Sequence, residues 1–228
     1  EGKFLPGYVL PSEGDTLRGY LKVRHADFMA KRIQYASSEE ATEVTRYQSD
    51  EIAGYGFENG EVYVSRTTDR GGPFFLHWFF DGELDFYYLR DSVDHYYVAK
   101  AGELIHLMDT EQTIKTNEGL KRFRNREYVG QLMRVIEDFS LQPVVDATEL
   151  NQKSLIKLGK AYQEKTKPGV VPMVHQMARK PFRVWPELVG DWFSEQPHIS
   201  GAKYNTVDSS HQAFGFGLVL QNFPIVSD

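Results

Sequence analysis

Hydrophobic and polar positions alternate most densely between Ile52 and Met108, where short aromatic and β-branched runs are interrupted by turn-forming dipeptides. The interrupting pairs are Asn-Gly, Gly-Gly, Asp-Gly and Ala-Gly, which favour the tight connections of antiparallel hairpins. Runs at about ten-residue spacing predict an antiparallel meander that forms a sandwich or a small barrel. The six predicted strands are residues 55–57, 61–67, 74–80, 83–90, 95–99 and 104–107.

Two connections in this stretch have the sequence of a two-residue hairpin turn. Asn59-Gly60 and Asp81-Gly82 stand between strand-like runs, and such a turn holds both central residues at positive φ. Residues 69–73 combine two glycines with a proline, which predicts an exposed loop. Four further strand-like runs precede this stretch, at residues 8–10, 17–23, 32–36 and 41–47.

The pattern changes after Met108. Residues 109–126 are polar and rich in lysine and arginine, which predicts a basic linker. Residues 128–139 then carry an apolar stripe at helical spacing, and Pro143 is expected to end that helix. Asn151 is a plausible N-cap for a second helix that stops at Pro168. We expect the two helices to cover one face of the β-sheet.

The C-terminal part shows a second alternation, with large apolar residues opposite small ones between Ala213 and Leu220. This pattern is typical of a transmembrane β-strand, whose large residues face lipid. A buried sandwich strand gives the same alternation, so both interpretations stay open. The positions predicted to face the membrane are Val184, Leu188, Trp192, Phe214, Phe216, Leu218 and Leu220.

Composition narrows the classes of function. The chain has 228 residues, 41% of them apolar, a net charge of −6 and no cysteine. An acidic chain lacks the basic surface that nucleic-acid phosphates require, so we expect no nucleic-acid partner. Disulfides and thiolate sites are excluded. The sequence opens without an initiator methionine, as a mature exported chain does after signal cleavage, although an artificial boundary would look the same.

Candidate chemistry is sparse. His95 beside Asp91 and Asp94 has the ligand types of a zinc or manganese site, but the same residues read first as a turn between two strands. Glu83 and Asp85 lie two apart, as paired catalytic carboxylates would on one strand face. The remaining candidates lack a recognisable array, so we predict no enzyme, no metal and no cofactor. They are His77, His106, His175, His198, the run Ser209-Ser210-His211, and the isolated pairs at residues 54–56 and 215–217.

Aromatic side chains are the stronger functional lead. They exceed what one face of a small sheet buries, which predicts a docking surface for helices or for another protein. In the simpler interpretation the two predicted helices cover them. The residues concerned are Trp78, Phe80, Tyr87, Tyr88, Tyr96 and Tyr97.

The order of five segments resembles a known family, the Bacteroidetes-type outer-membrane β-barrel proteins with an N-terminal periplasmic extension. The segments are residues 7–21 (GYVLPSEGDTLRGYL), 50–65 (DEIAGYGFENGEVYVS), 81–91 (DGELDFYYLRD), 127–139 (EYVGQLMRVIEDF) and 153–165 (KSLIKLGKAYQEK). Two departures stand out. The cysteines that family members often carry near the positions of Phe139 and Lys165 are absent, and the 60 residues after Pro168 are too few for even an eight-stranded barrel.

The resemblance implies a mainly β chain with three parts. Residues 1–126 would be a periplasmic β-rich domain, 127–168 its two-helix cover, and 169–228 the incomplete start of a membrane barrel. It implies a non-enzymatic accessory or scaffolding role at the outer membrane, with residues 1–168 in the periplasm. The expected partners are outer-membrane lipid and other outer-membrane or periplasmic proteins. The alternative is a soluble secreted or periplasmic binding module, or a hydrolase, with no membrane part.

Overall fold

The computed structural model describes residues 2–116, 119–176, 183–193 and 211–221, the last two as backbone. The chain divides into two compact units, Glu1–Ala178 and Arg179–Asp228. The first unit is mainly β, as predicted, and contains a ten-stranded antiparallel sheet with a few short helices. Among the described residues, no helix has the length and apolarity needed to cross a membrane.

One sheet, rather than the two stacked sheets of a sandwich, organises the first unit. Its order is β10-β9-β8-β7-β6-β5-β1-β2-β3-β4 within the described residues. The strands are β1 (Phe4–Pro11), β2 (Leu17–Lys22), β3 (Arg32–Ala36), β4 (Thr45–Gln48), β5 (Ile52–Phe57), β6 (Val62–Thr67), β7 (Pro73–Phe80), β8 (Asp85–Arg90), β9 (Asp94–Lys100) and β10 (Glu103–Leu107).

The sheet curls because its β3–β4 end returns to β6 and β7. The Phe75 amide donates to the carbonyl of Ala30, which follows the short helix α1 (Ala26–Met29), over 2.7 Å. Ser49 Oγ donates to the Pro73 carbonyl over 2.7 Å, and Ser65 Oγ donates to the Ser49 carbonyl. A separate apolar core lies within this curl, formed by Val9, Leu21, Met29, Ile33, Ile52, Tyr55, Phe57 and Phe75.

Two main helices cover the other end of the sheet. They are α2 (Glu127–Ile136) and α4 (Gln152–Thr166), which pack on β7, β8 and β10. The predicted apolar stripes are buried here, with Leu132, Leu155 and Leu158 at 0% exposure. Asn151 caps α4 as predicted, since its Oδ1 accepts from the Ser154 amide at 2.9 Å.

The first predicted helix is shorter than its sequence pattern indicates. Helix α2 ends at Ile136, because Glu137 adopts a left-handed conformation with φ 56°. Phe139, placed by the pattern on the buried stripe, instead starts a 3₁₀ turn (Phe139–Leu141) and is 82% exposed. Pro143 does not end α2; it lies in the first turn of α3 (Gln142–Asp146), where its missing amide proton costs nothing.

The predicted basic linker is wrong, because residues 109–126 form a hairpin. Its strands are β11 (Thr110–Thr116) and β12 (Gly119–Asn125), and they make a two-stranded sheet of their own. Arg124 pairs with Asp109, and Arg122 lies 3.6 Å from Glu111 across the strands. Neither face is apolar, so the alternation that identifies other strands is absent here.

The predicted positive-φ pairs also differ from the structure. Of Asn59-Gly60, only Gly60 has a positive φ, at 107°, and neither Asp81 nor Gly82 has one. The tight two-residue turn lies instead at Ala101-Gly102, with φ values of 52° and 88°, between β9 and β10. The 69–73 loop is exposed as predicted as far as Gly72, and Pro73 begins β7.

The second unit contains a single described hairpin. Strands β13 (Arg183–Phe193) and β14 (His211–Gln221) pair over eleven positions, from Arg183 opposite Gln221 to Phe193 opposite His211. The register pairs even-numbered with even-numbered positions, such as Val184 with Leu220 and Leu188 with Phe216. All seven positions predicted to face the membrane are even-numbered, while their side chains lie outside the described part.

Candidate functional site

The six aromatic residues predicted to form a docking surface are divided between two apolar clusters. Phe80, Tyr88 and Tyr96 belong to the cluster beneath α2 and α4. Trp78, Tyr87 and Tyr97 belong to the cluster that contains Ala30 and Leu76. Phe80, Tyr87 and Tyr97 are at most 1% exposed, so these three rings are core residues and not a free surface. Trp78, Tyr88 and Tyr96 are half-buried.

A turn between β8 and β9 forms the first part of a polar cluster. Asp91 Oδ1 accepts from the amides of Ser92 and Val93, which fixes the turn, and also lies 3.2 Å from His95 Nε2. Burial works against ionisation of Asp91, but the two amides and His95 hold its pKa well below the usual range. The carboxylate therefore stays negatively charged.

A line of four side chains extends from this turn through β9 and β10 to the loop between β6 and β7. His95 Nδ1 lies 3.2 Å from His106 Nε2, and His106 Nδ1 lies 2.8 Å from Asp69 Oδ2. Arg70 forms an ion pair with Asp91 at one end of this line, with its guanidinium 2.9 Å from Asp91 Oδ2. The loop between β6 and β7 thus contacts the β8–β9 turn and β10. We call Asp69, His106, His95 and Asp91 the relay.

Asp94, one of the three candidate ligands considered above, does not contact His95. Its Oδ1 accepts from the Tyr88 hydroxyl at 2.7 Å and from Arg90 at 3.0 Å. Among the described residues, no group of three or more potential ligands is arranged to hold a metal ion. The relay is linear, with each contact between two side chains, whereas a metal site brings several ligand atoms to one point.

Beside the relay lies a cleft of about 640 Å³. Its walls include His95 and His106, and on the opposite side Asp109, Arg124 and residues of the connection to α4. Asp109 Oδ2 accepts from Arg124 Nε at 2.7 Å, while Asp109 Oδ1 is buried and has no protein partner. The residues that line the cleft are both polar and apolar, and they include the two histidines of the relay.

Two other histidines hold the segment by which the chain leaves the first unit. We call residues 173–175 the exit segment. Met173 exchanges two backbone hydrogen bonds with Asp81, each 2.9 Å, and the His175 amide donates to Phe79 at 3.1 Å. His77 Nε2 lies 2.9 Å from the His175 carbonyl, and because a carbonyl only accepts, His77 carries its proton on Nε2. Burial lowers the pKa of His77 to about 4, which keeps this ring neutral.

The candidate carboxylate pair, Glu83 and Asp85, does not form. Glu83 precedes β8 and pairs with Lys167, whereas Asp85 Oδ1 accepts from Trp78 Nε1 at 3.2 Å. Burial raises the pKa of Asp85, so the two acids sit in different surroundings. His198, Ser209 and Ser210, and the side chains of His211 and residues 215–217, lie outside the described part of the chain.

Sequence reasoning missed His106 as the partner of His95 and Asp69 as the partner of His106. The contact between His95 and His106 could have been predicted from the sequence, because the two-residue turn at Ala101-Gly102 fixes the register of β9 and β10. That register places Tyr97 opposite His106 and makes His95 its diagonal neighbour on the same face. For Asp69 no local signal exists, because its loop approaches β10 only in the folded sheet.

Comparison of the chain with protein-family models, with curated proteins and with solved structures gives no significant match. The family resemblance described above therefore stays a prediction.

Proposed function

We propose that the chain is a non-enzymatic accessory component of an outer-membrane protein assembly. Residues 1–168 form its periplasmic platform, and the alternating segments in 169–228 contribute membrane strands of a barrel. In this proposal the platform holds or organises partner proteins at the periplasmic side, and its neighbours are outer-membrane lipid and other outer-membrane or periplasmic proteins.

The observation that carries the proposal is the hairpin of β13 and β14. Each strand has eleven residues, which matches the roughly 9–11 residues that a tilted strand needs to cross a bilayer. Large apolar residues recur at even positions of the sequence, and the register pairs even with even positions. A hairpin with this register puts the seven positions predicted to face the membrane on one face, as lipid contact requires, while Trp185 and Phe193 lie at odd positions of β13.

The exit segment supports the scaffolding part of the proposal. Three backbone hydrogen bonds and the His77 contact fix residues 173–175 along the end of β7. The chain therefore leaves the first unit from a defined position instead of from a free tail. A platform that holds partners near a membrane benefits from such a fixed attachment, since loose linkers reduce effective concentration.

Cysteine labelling of the full chain in intact cells tests the proposal, because the chain has no native cysteine. One variant carries Asn205→Cys between β13 and β14, and the other carries Glu39→Cys on the exposed surface of the first unit. We expect a membrane-impermeant reagent to label the first variant in intact cells. The second variant should react only after the outer membrane is permeabilised. Labelling of Glu39→Cys alone would contradict the proposed topology.

A soluble binding module is the second candidate, favoured by the cleft of about 640 Å³ that His95 and His106 help to line. This volume falls within the range of small-molecule sites. Membrane fractionation separates the two functions. A full chain that remains in the soluble fraction and monodisperse without detergent favours the binding module, and recovery only with detergent favours the outer-membrane component.

A further inference from the structure

The relay contains more hydrogen bonds than two neutral imidazoles can supply with protons. It has three contacts within hydrogen-bonding distance, from Asp69 to His106 (2.8 Å), from His106 to His95 (3.2 Å) and from His95 to Asp91 (3.2 Å). Each contact needs one N–H, since the carboxylates only accept. Two neutral rings carry two N–H groups in total. The third contact therefore requires one additional proton.

The surroundings decide which ring holds that proton. The His95 side chain is only 8% exposed, and burial lowers its pKa. The positive charge of Arg70 lowers this pKa further, whereas the contact with Asp91 raises it, and the net shift is downward. His95 is therefore the neutral ring, with its single proton on Nε2 toward Asp91. Its Nδ1 then accepts, so His106 must donate from Nε2 to His95 and from Nδ1 to Asp69.

We propose that the relay is a proton-binding site in which His106 is an imidazolium, and that this proton fastens the β6–β7 loop to the β8–β10 end of the sheet. The proposal goes beyond the proposed function and does not depend on it. The charge balance is favourable because the groups facing the imidazoles carry two negative charges and one positive charge. These groups are Asp69 and Arg70 from the loop, Asp91 from the β8–β9 turn, and the Tyr97 ring from β9, which stacks on His106 at 4.7 Å.

Loss of the proton breaks the fastening at one defined contact. When His106 releases its proton to solvent, its remaining N–H serves either Asp69 or His95. The other contact then sets two lone pairs against each other at 2.8 or 3.2 Å, which is repulsive. His95 cannot compensate without giving up its bond to Asp91. The loop then keeps the Arg70–Asp91 ion pair, the weak contact from Tyr97 to Asp69 and its backbone contacts, but loses one contact of the relay.

Nitrogen-15 NMR of the labelled full chain tests the proton count directly. Long-range spectra near pH 6 should show His106 protonated at both ring nitrogens and His95 protonated at Nε2 alone. Asp69→Asn removes the carboxylate that faces His106 Nδ1 and should leave His106 protonated at one ring nitrogen in the same spectra. The matched control is Asp94→Asn, which changes a carboxylate on the same turn outside the relay. Two neutral rings in the wild type, or a doubly protonated His95, would overturn the proposal.

Amide hydrogen exchange tests the link to the loop. The amides of Thr68 and Gly71 donate within the loop, and their exchange is corrected for the intrinsic effect of pH. In the wild type their protection should decrease as His106 loses its proton. Asp69→Asn should raise their exchange about tenfold near pH 6, while Asp94→Asn leaves it unchanged. Equal exchange in the two variants, or wild-type protection that does not follow the His106 titration, would show that the proton does not hold the loop.

Discussion

Helix α4 approaches the sheet closely because it has no side chain at Gly159. A Cβ at this position would lie 2.5 Å from Cε1 and 2.7 Å from Cζ of Phe80. Ordinary carbon–carbon contacts are about 3.5–4.0 Å, so Gly159→Ala forces the helix or the ring to move by about 1 Å. Phe80 is 0% exposed and its ring lies 5.8 Å from that of Phe86, which restricts its movement.

Two opposing effects set the magnitude of this change. Alanine in a helix interior is favoured over glycine by about 1 kcal/mol. Overpacking of a well-filled core costs about 1–3 kcal/mol, and a contact this short belongs at the upper end. We therefore expect Gly159→Ala to reduce the free energy of unfolding by about 1–2 kcal/mol, although propensity alone predicts an increase.

Urea denaturation of the full chain, followed by circular dichroism, measures this effect against a matched control. Gly130 lies in α2 with no heavy atom within 4 Å of its added Cβ, so Gly130→Ala should raise stability by about 1 kcal/mol. Phe80→Leu should relieve the clash, so the double variant with Gly159→Ala should lose less than the sum of the single changes. If both glycine substitutions stabilise equally, α4 does not pack on Phe80 as described.

Three further predictions concern the core, the pH response and the cap. Leu132→Ala should cost about 2–5 kcal/mol of unfolding free energy and Arg134→Ala almost nothing, as thermal or urea denaturation will show; equal tolerance would contradict the packing of α2. His77 has a pKa of about 4 in the folded chain and an ordinary value of 6.5, so between these pH values the unfolded chain binds more protons. The free energy of unfolding should therefore fall by about 3 kcal/mol as the pH drops from about 6.5 to about 4. His77→Gln should flatten that part of the stability–pH curve, and an unchanged curve would exclude His77 as its source. Asn151→Ala should cost about 1 kcal/mol through loss of the α4 cap, whereas unchanged stability would show that the cap is not needed.

Elements with a one-sided apolar pattern were predictable from the sequence. Leu132 in α2 and Leu155 in α4 repeat at helical spacing, and both are fully buried against the sheet. The hairpin of β11 and β12 was not predictable in this way. Ile114 and Leu120 are 46% and 74% exposed, so its strands bury no continuous face and their sequence resembles a linker.

The prediction of turn positions was wrong where backbone groups of the predicted turn bond to another part of the chain. Asp81-Gly82 has the composition of a two-residue turn, but the Asp81 amide and carbonyl both bond to Met173. That pairing comes from a residue far along the chain, and no local pattern encodes it. Ala101-Gly102 forms the tight turn because its strands meet no such competitor, even though alanine is unfavourable at positive φ.

The relay was only half predictable for the same reason. His95 and Asp91 are four residues apart, so their contact follows from the local turn between β8 and β9. Asp69 reaches His106 from a loop 37 residues away in sequence. That approach depends on the curl of the sheet and on the positive φ of Gly71 and Gly72, which let the loop fold back.

The His77 contact and the proposed relay are expected to respond to pH in opposite directions. Burial disfavours the charged form of His77, which donates to the exit segment, and burial also lowers the pKa of His175, whose buried Nε2 has no hydrogen-bond partner. Acidification therefore weakens the exit segment first. The proposed relay needs its extra proton, so alkalinisation weakens the β6–β7 loop first. Because the two sites share no side chain, hydrogen exchange should reveal two separate local openings, one on each side of the most stable pH, while the core beneath α2 and α4 stays protected.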